Sequence, residues 1–79
     1  MKLPVVSGYD VIKALQKKGF KIAGIRGSHV KLKKKINRKT ILVIVPLHKE
    51  LKKGTLNAIL RQAGLSRRQF LNLLKDPSL

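Results

Sequence analysis

The sequence predicts an α+β domain in which helices cover one face of a three-stranded antiparallel sheet, in the order helix, three strands, helix and short helix. Three observations carry that expectation. Apolar residues recur at helical spacing near both ends of the chain and at strand spacing between them, and glycines stand where those segments should stop. The length, 79 residues, suffices for one shared core and not for two, so residues 1–79 are read as a single domain. With 43% hydrophobic residues and no low-complexity stretch, the chain should fold.

The first helix is bracketed by Ser7, an N-cap with Asp10 three positions on, and by Gly19, suited to a left-handed C-terminal position. Val11, Ile12 and Leu15 share its apolar face, whereas Lys13, Lys17 and Lys18 are expected to look outward. Residues 20–26 and 29–33 are short β-like runs separated by Gly27-Ser28, a turn-forming pair, so a hairpin is expected. If Val30 and Leu32 enter the core, then His29, Lys31 and Lys33 share the opposite face, because strand side chains alternate with period 2.

Residues 34–39 read as a solvated turn around Asn37. The run 40–45 is the strongest strand signal, apolar on both faces and stopped by Pro46, which suggests a central place in the sheet. A helix is expected over residues 55–63, with Leu56, Ile59, Leu60 and Ala63 on one stripe and Gly64 at its end. Ser66 and Gln69 then form a second capping box ahead of Phe70, Leu71, Leu73 and Leu74, with Pro77 as the stop.

Charge narrows the function. Nineteen Lys and Arg against three Asp and Glu give a formal +16, which calls for a polyanionic partner to relieve the self-repulsion. Membrane is not expected: the apolar runs fall far short of the roughly 18 residues that span a bilayer, and no helix sets a broad apolar face against a wholly basic one. Cysteine is absent and the first residues lack the parts of a signal peptide, so a cytoplasmic protein is expected. Two widely separated histidines and three carboxylates make a poor metal site, and no metal or other cofactor is expected.

The order of elements resembles a double-stranded-RNA-binding domain, a module that reads A-form RNA by shape and backbone contacts. With only Tyr9, Phe20 and Phe70 as aromatics, a base-stacking platform is not expected. A closer resemblance lies in four local runs: Leu15-Gln16-Lys17-Lys18-Gly19-Phe20, Gly27-Ser28-His29, Val45-Pro46-Leu47-His48, and the stretch 51–66 that reads LKKGTLNAILRQAGLS. In this order and spacing they resemble the HicA toxins, also called the YcfA-like family. The resemblance implies a small mRNA interferase of a type II toxin–antitoxin pair, with a double-stranded-RNA-binding-like fold and a HicB-like antitoxin as partner. It also implies that the histidine of the Gly-Ser-His motif, here His29, is catalytic.

The residues can be read beside that resemblance. Metal-free RNA cleavage needs a base for the 2′-hydroxyl proton, an acid for the leaving 5′-oxygen and positive charge for the phosphorane. Histidine is the residue type that titrates near neutral pH, which makes His29 a candidate acid or base. Taken alone, a strand histidine is more often a structural or surface residue.

Lys31 and Lys33 would steady phosphate oxygens, while Gly27 and Ser28 would shape the turn or offer an N–H; Lys34 and Lys35 extend the basic run toward RNA. Lys49, Lys52 and Lys53, ahead of a helix N-terminus, form a second phosphate-binding candidate. His48 is read first as a loop residue and second as another acid/base. The competing function is a noncatalytic RNA-binding module of the double-stranded-RNA type. A DNA-binding role lacks a recognition helix, since the helices spend their periodic faces on the core. An antitoxin would present an acidic or site-covering surface.

Overall fold

The computed structural model describes residues 3–76. Its elements are α1 (Gly8–Lys17), β1 (Lys21–Arg26), β2 (His29–Ile36), β3 (Lys39–Pro46), α2 (Lys53–Ala63) and α3 (Arg67–Lys75). Two of the helices start by the same chemistry. The Ser7 hydroxyl accepts from the Asp10 N–H at 3.1 Å while the Asp10 carboxylate accepts from the Ser7 N–H at 3.0 Å; Ser66 and Gln69 repeat the exchange at 3.1 and 2.9 Å. Two also end alike. Gly19 and Gly64 take positive φ of 103° and 72°, which lets the next N–H, of Phe20 or Leu65, reach back to the Leu15 or Leu60 carbonyl. The stop expected at Pro77 lies outside the described residues.

The sheet is antiparallel with order β1-β2-β3, so β2 is central. This corrects the expectation that the run 40–45 is the middle strand. β3 is an edge whose inner residues Val43 and Val45 are buried while Leu42 and Ile44 stay about half exposed on the other face. The turn expected over 34–39 is also shorter. β2 runs on to Ile36 and β3 starts at Lys39, leaving Asn37 and Arg38 as the turn, with Asn37 at φ 55°. A lysine run can be strand when alternate ammonium groups face water and the stems lie along the sheet.

One face of the sheet is packed. Val30, Leu32, Val43 and Val45 meet Val11 and Leu15 of α1, Leu56, Ile59 and Leu60 of α2, and the buried Phe20 and Phe70 in a single cluster. Each such side chain contributes about 1.5–3 kcal/mol on burial. Helices cover β2 and β3 and stop short of β1, every residue of which is exposed. Lys17, expected to look outward, is half-buried instead. Its ammonium donates to the Leu73 carbonyl at 2.8 Å and to that of Asp76, tying α1 to the carbonyl end of α3 where a cation is favoured.

Gly8 shows a constraint that local pattern does not reveal. A Cβ there would lie 2.1 Å from the Pro46 carbonyl oxygen, because α1 begins directly against the end of β3. Gly8→Ala should therefore destabilise the fold by about 2 kcal/mol or more in urea titration. Gly54→Ala, where a Cβ would meet nothing within 4 Å, should be neutral or stabilising by about 0.5 kcal/mol.

Candidate functional site

The unpacked sheet face is built from the outward row of β2. His29, Lys31, Lys33 and Lys35 alternate with the core residues Val30 and Leu32, and all four are exposed. Strand pairing supplies their neighbours. On β1, Arg26 stands across from His29, Gly24 across from Lys31, and Lys21 across from Lys33. On β3 the partners in the same order are Pro46, Ile44 and Leu42, with Thr40 beside Lys35. The face thus has a basic column down its centre, cations on the β1 flank and an apolar ridge on the β3 flank.

The hairpin turn sets the most distinctive part of this face. Gly27 takes φ 60° as the first of two loop residues, the position where a tight hairpin turn wants glycine, and so Arg26 pairs directly with His29. The Ser28 carbonyl accepts from the Leu47 N–H at 2.7 Å, which fastens the turn to the chain leaving β3. The next residue, His48, gives its backbone carbonyl to the Gly8 N–H at 2.9 Å, while its side chain is exposed. Leu51 then donates to the Val6 carbonyl at 2.8 Å.

Of the residues singled out from sequence, the structure brings His29, Lys31, Lys33 and Lys35 onto one face, with Gly27 and Ser28 at its end. Lys34 is not among them. Its ammonium donates to the Lys18 carbonyl at 2.8 Å and sits 5.8 Å from the centre of the Phe20 ring, so it closes the end of α1 on the other side of the strand. Lys49, Lys52 and Lys53 are exposed on the segment running from His48 into α2. Lys52 caps that helix without a side-chain hydrogen bond, and the first turn holds no acid.

Two concavities lie on the basic face. One, beside the turn, is lined by Arg26, His29, Lys31, Ala23, Gly24 and Ile44 among others; the other, toward the far end, is bounded by Lys21, Lys33, Lys35 and Thr40 and reaches round the sheet to Gly19 and Lys34 on the opposite side. No strand carries an acid, for the chain's three carboxylates are Asp10, Glu50 and Asp76. Asp10 is engaged in its capping box. Such a surface offers one imidazole, a guanidinium directly across from it and a line of ammonium groups, a set suited to holding phosphates around a proton-transfer group. Arg26 and Lys21 were not singled out from sequence. The two-residue loop was the signal for Arg26, since it pairs the residues on either side of it.

The family model described as "HicA toxin of bacterial toxin-antitoxin" matches residues 8–65. The match runs from the start of α1 through α2 and takes in both histidines. No curated protein matches the chain. Among the described residues no helix is long and apolar enough to cross a membrane.

Lys21 and Lys33, as directly opposed like charges, weaken the sheet they belong to. Lys21→Glu should raise stability at low salt by about 0.5 kcal/mol, an effect that salt screens away, while loosening retention on a polyanion column. Urea midpoints at two ionic strengths and elution position check both halves.

Proposed function

The chain belongs to the HicA toxin family, the toxin half of bacterial toxin–antitoxin pairs, and from that premise we propose that it is an mRNA interferase, an endoribonuclease that cuts RNA with the imidazole of His29 and without a metal. The observation that carries this reading is the position of His29: exposed, first in the basic row, and directly across from Arg26. Phosphate contacts from Lys31, Lys33 and Lys35 would hold the strand in register along β2.

In the proposed reaction the His29 imidazole takes the 2′-hydroxyl proton as that oxygen attacks phosphorus. The bond from phosphorus to the 5′-oxygen breaks, the leaving oxygen takes a proton from solvent water, and the products carry a 2′,3′-cyclic phosphate and a 5′-hydroxyl. The Arg26 guanidinium, with its fork of donors, and the Lys31 ammonium would stabilise charge on the non-bridging oxygens. Gly27 and Ser28 hold the histidine at the strand end. Lys49, Lys52 and Lys53 would take a more distant phosphate near the α2 N-terminus.

A toxin of this family has a cognate antitoxin. We assign that role to a HicB-like protein with an acidic surface that covers the basic face, and place the toxin in the cytoplasm with its mRNA substrate. Charge complementarity would make their association fast and salt-sensitive.

The test is cleavage of one transcript by the purified chain and by His29→Ala, both in excess EDTA. The variant should lose about 10²- to 10⁴-fold in rate while still binding RNA. If both bind and neither cuts, the basic face is a noncatalytic RNA-binding platform and the nuclease reading falls. A salt titration probes the row itself: replacing Lys31 or Lys33 with Ala should each make the slope of log affinity against log salt shallower by about 0.7 on single-stranded RNA.

A further inference from the structure

Neither a left-handed φ nor crowding obliges residue 24 to be glycine. Its φ is not in the left-handed region, unlike those of Gly19, Gly27 and Gly64. No atom crowds it, since a Cβ would meet nothing within 4 Å, whereas one on Gly8 would strike the Pro46 carbonyl. It lies inside β1, where glycine weakens a strand.

It also lies at the strand's one irregularity. Ile22 pairs with Leu32 and Gly24 with Lys31, so Ala23 is an extra residue in a β-bulge. The two smallest residues of β1 therefore stand together where the strand bends. Because Gly24 opposes the outward-facing Lys31, the side chain it lacks would stand on the basic face. Both bulge residues line the concavity shared by Arg26, His29, Lys31 and Ile44.

A strand glycine that is neither strained nor crowded marks a bulge or a place where something else comes close to the backbone, and the concavity beside this bulge joins the two uses. The lining indicates what comes close. Arg26 offers charge toward the turn, and Lys31, on the central strand between Gly24 and Ile44, sets its stem and ammonium beside the bare backbone of Ala23 and Gly24, with Ile44, 51% exposed, on its far side. We propose that the Ala23–Gly24 bulge is a nucleotide seat: an unpaired residue beside the scissile phosphate lies over the bare backbone, its base along the stem of Lys31 and its phosphate between Arg26 and Lys31. This inference rests on the ribonuclease reading above. It deepens that reading by making the substrate locally single-stranded, because a base can lie flat on a sheet only when out of its own stack.

The seat makes stability and activity move in opposite directions. Valine suits a strand better than glycine, so Gly24→Val should keep or raise the melting temperature. The same side chain fills the seat. On an RNA whose cleavage position is mapped with the natural chain, Gly24→Val should raise KM about tenfold with a smaller change in kcat, and Gly24→Ala should fall between. An RNA lacking the base next to the scissile phosphate should be cut equally by the natural chain and Gly24→Val, since nothing then competes with the new side chain. Cleavage by Gly24→Val within about twofold of the natural chain on the intact RNA would overturn the seat and leave the nuclease reading standing. So would a loss of activity that tracks a lower melting temperature, which would mark a backbone requirement. If the natural chain itself does not cut, the failure is that of the ribonuclease reading, and the seat falls with it.

Discussion

The register of β2 against β3 is the constraint on which both halves of this protein depend. Val30 pairs with Val45 and Leu32 with Val43, and these four side chains are almost wholly buried beneath the helices. Period-2 alternation then leaves His29, Lys31, Lys33 and Lys35 no place but the open face. A slip by one residue would turn four polar side chains, three of them ammonium groups, into the core and the valine and leucine to water, at several kcal/mol for each buried charge. Core and site are thus a single specification. The hydrophobic packing that stabilises the domain also points the imidazole and its cations outward.

The lysines fall into two kinds. Lys17 and Lys34 each reach carbonyl oxygens at or just past a helix C-terminus, one closing α3 and the other α1, where the backbone dipole favours a cation. They are part of the fold's own hydrogen bonding. Lys31, Lys33 and Lys35 stand in a row, every second residue of one strand, with Lys21 across from Lys33 and no acid in any strand. Their mutual repulsion is uncompensated within the sheet. A fold under no other demand would interleave carboxylates there, as exposed strand faces commonly do. That electrostatic cost is what the proposed phosphate contacts would offset.

The starts of α1 and α3, the helix-ending glycines and the polar face were legible because each is written in local chemistry, whereas α2, expected from residue 55, begins at Lys53 with no side-chain cap to announce it. Serine followed by a carboxylate or amide three positions on announces a cap, glycine announces its release, and alternation separates Val30 and Leu32 from their lysine neighbours. Strand order was not legible. The run 40–45 is apolar on both faces, and periodicity alone does not distinguish a central strand from an edge strand whose Leu42 and Ile44 stay half exposed on the open face. The lysines after Lys33 hid the end of β2 for a similar reason, since a charge run reads as loop until the parity that continues through Lys35 is followed. Lys17 and Gly8 depend on partners far along the chain, at Leu73 and Pro46, which no local window contains. Arg26 was within reach: a two-residue turn places it opposite His29 by geometry alone.

The two ends of the sheet are held differently. At the Gly27-Ser28 turn, backbone hydrogen bonds join the turn to Leu47, His48 to the first turn of α1, and Leu51 to Val6, so that separate stretches of chain are locked around the first residue of the central strand. The turn at Asn37 and Arg38 has no such tie to another segment among the described residues. A group that transfers a proton must be open to substrate yet fixed in place, because small displacements cost rate steeply. Exposed side chains on hairpin ends ordinarily satisfy the first condition and fail the second. His29 meets both, exposed at its side chain and held at its backbone by the same crossing of β3 and α1 that obliges Gly8 to be glycine.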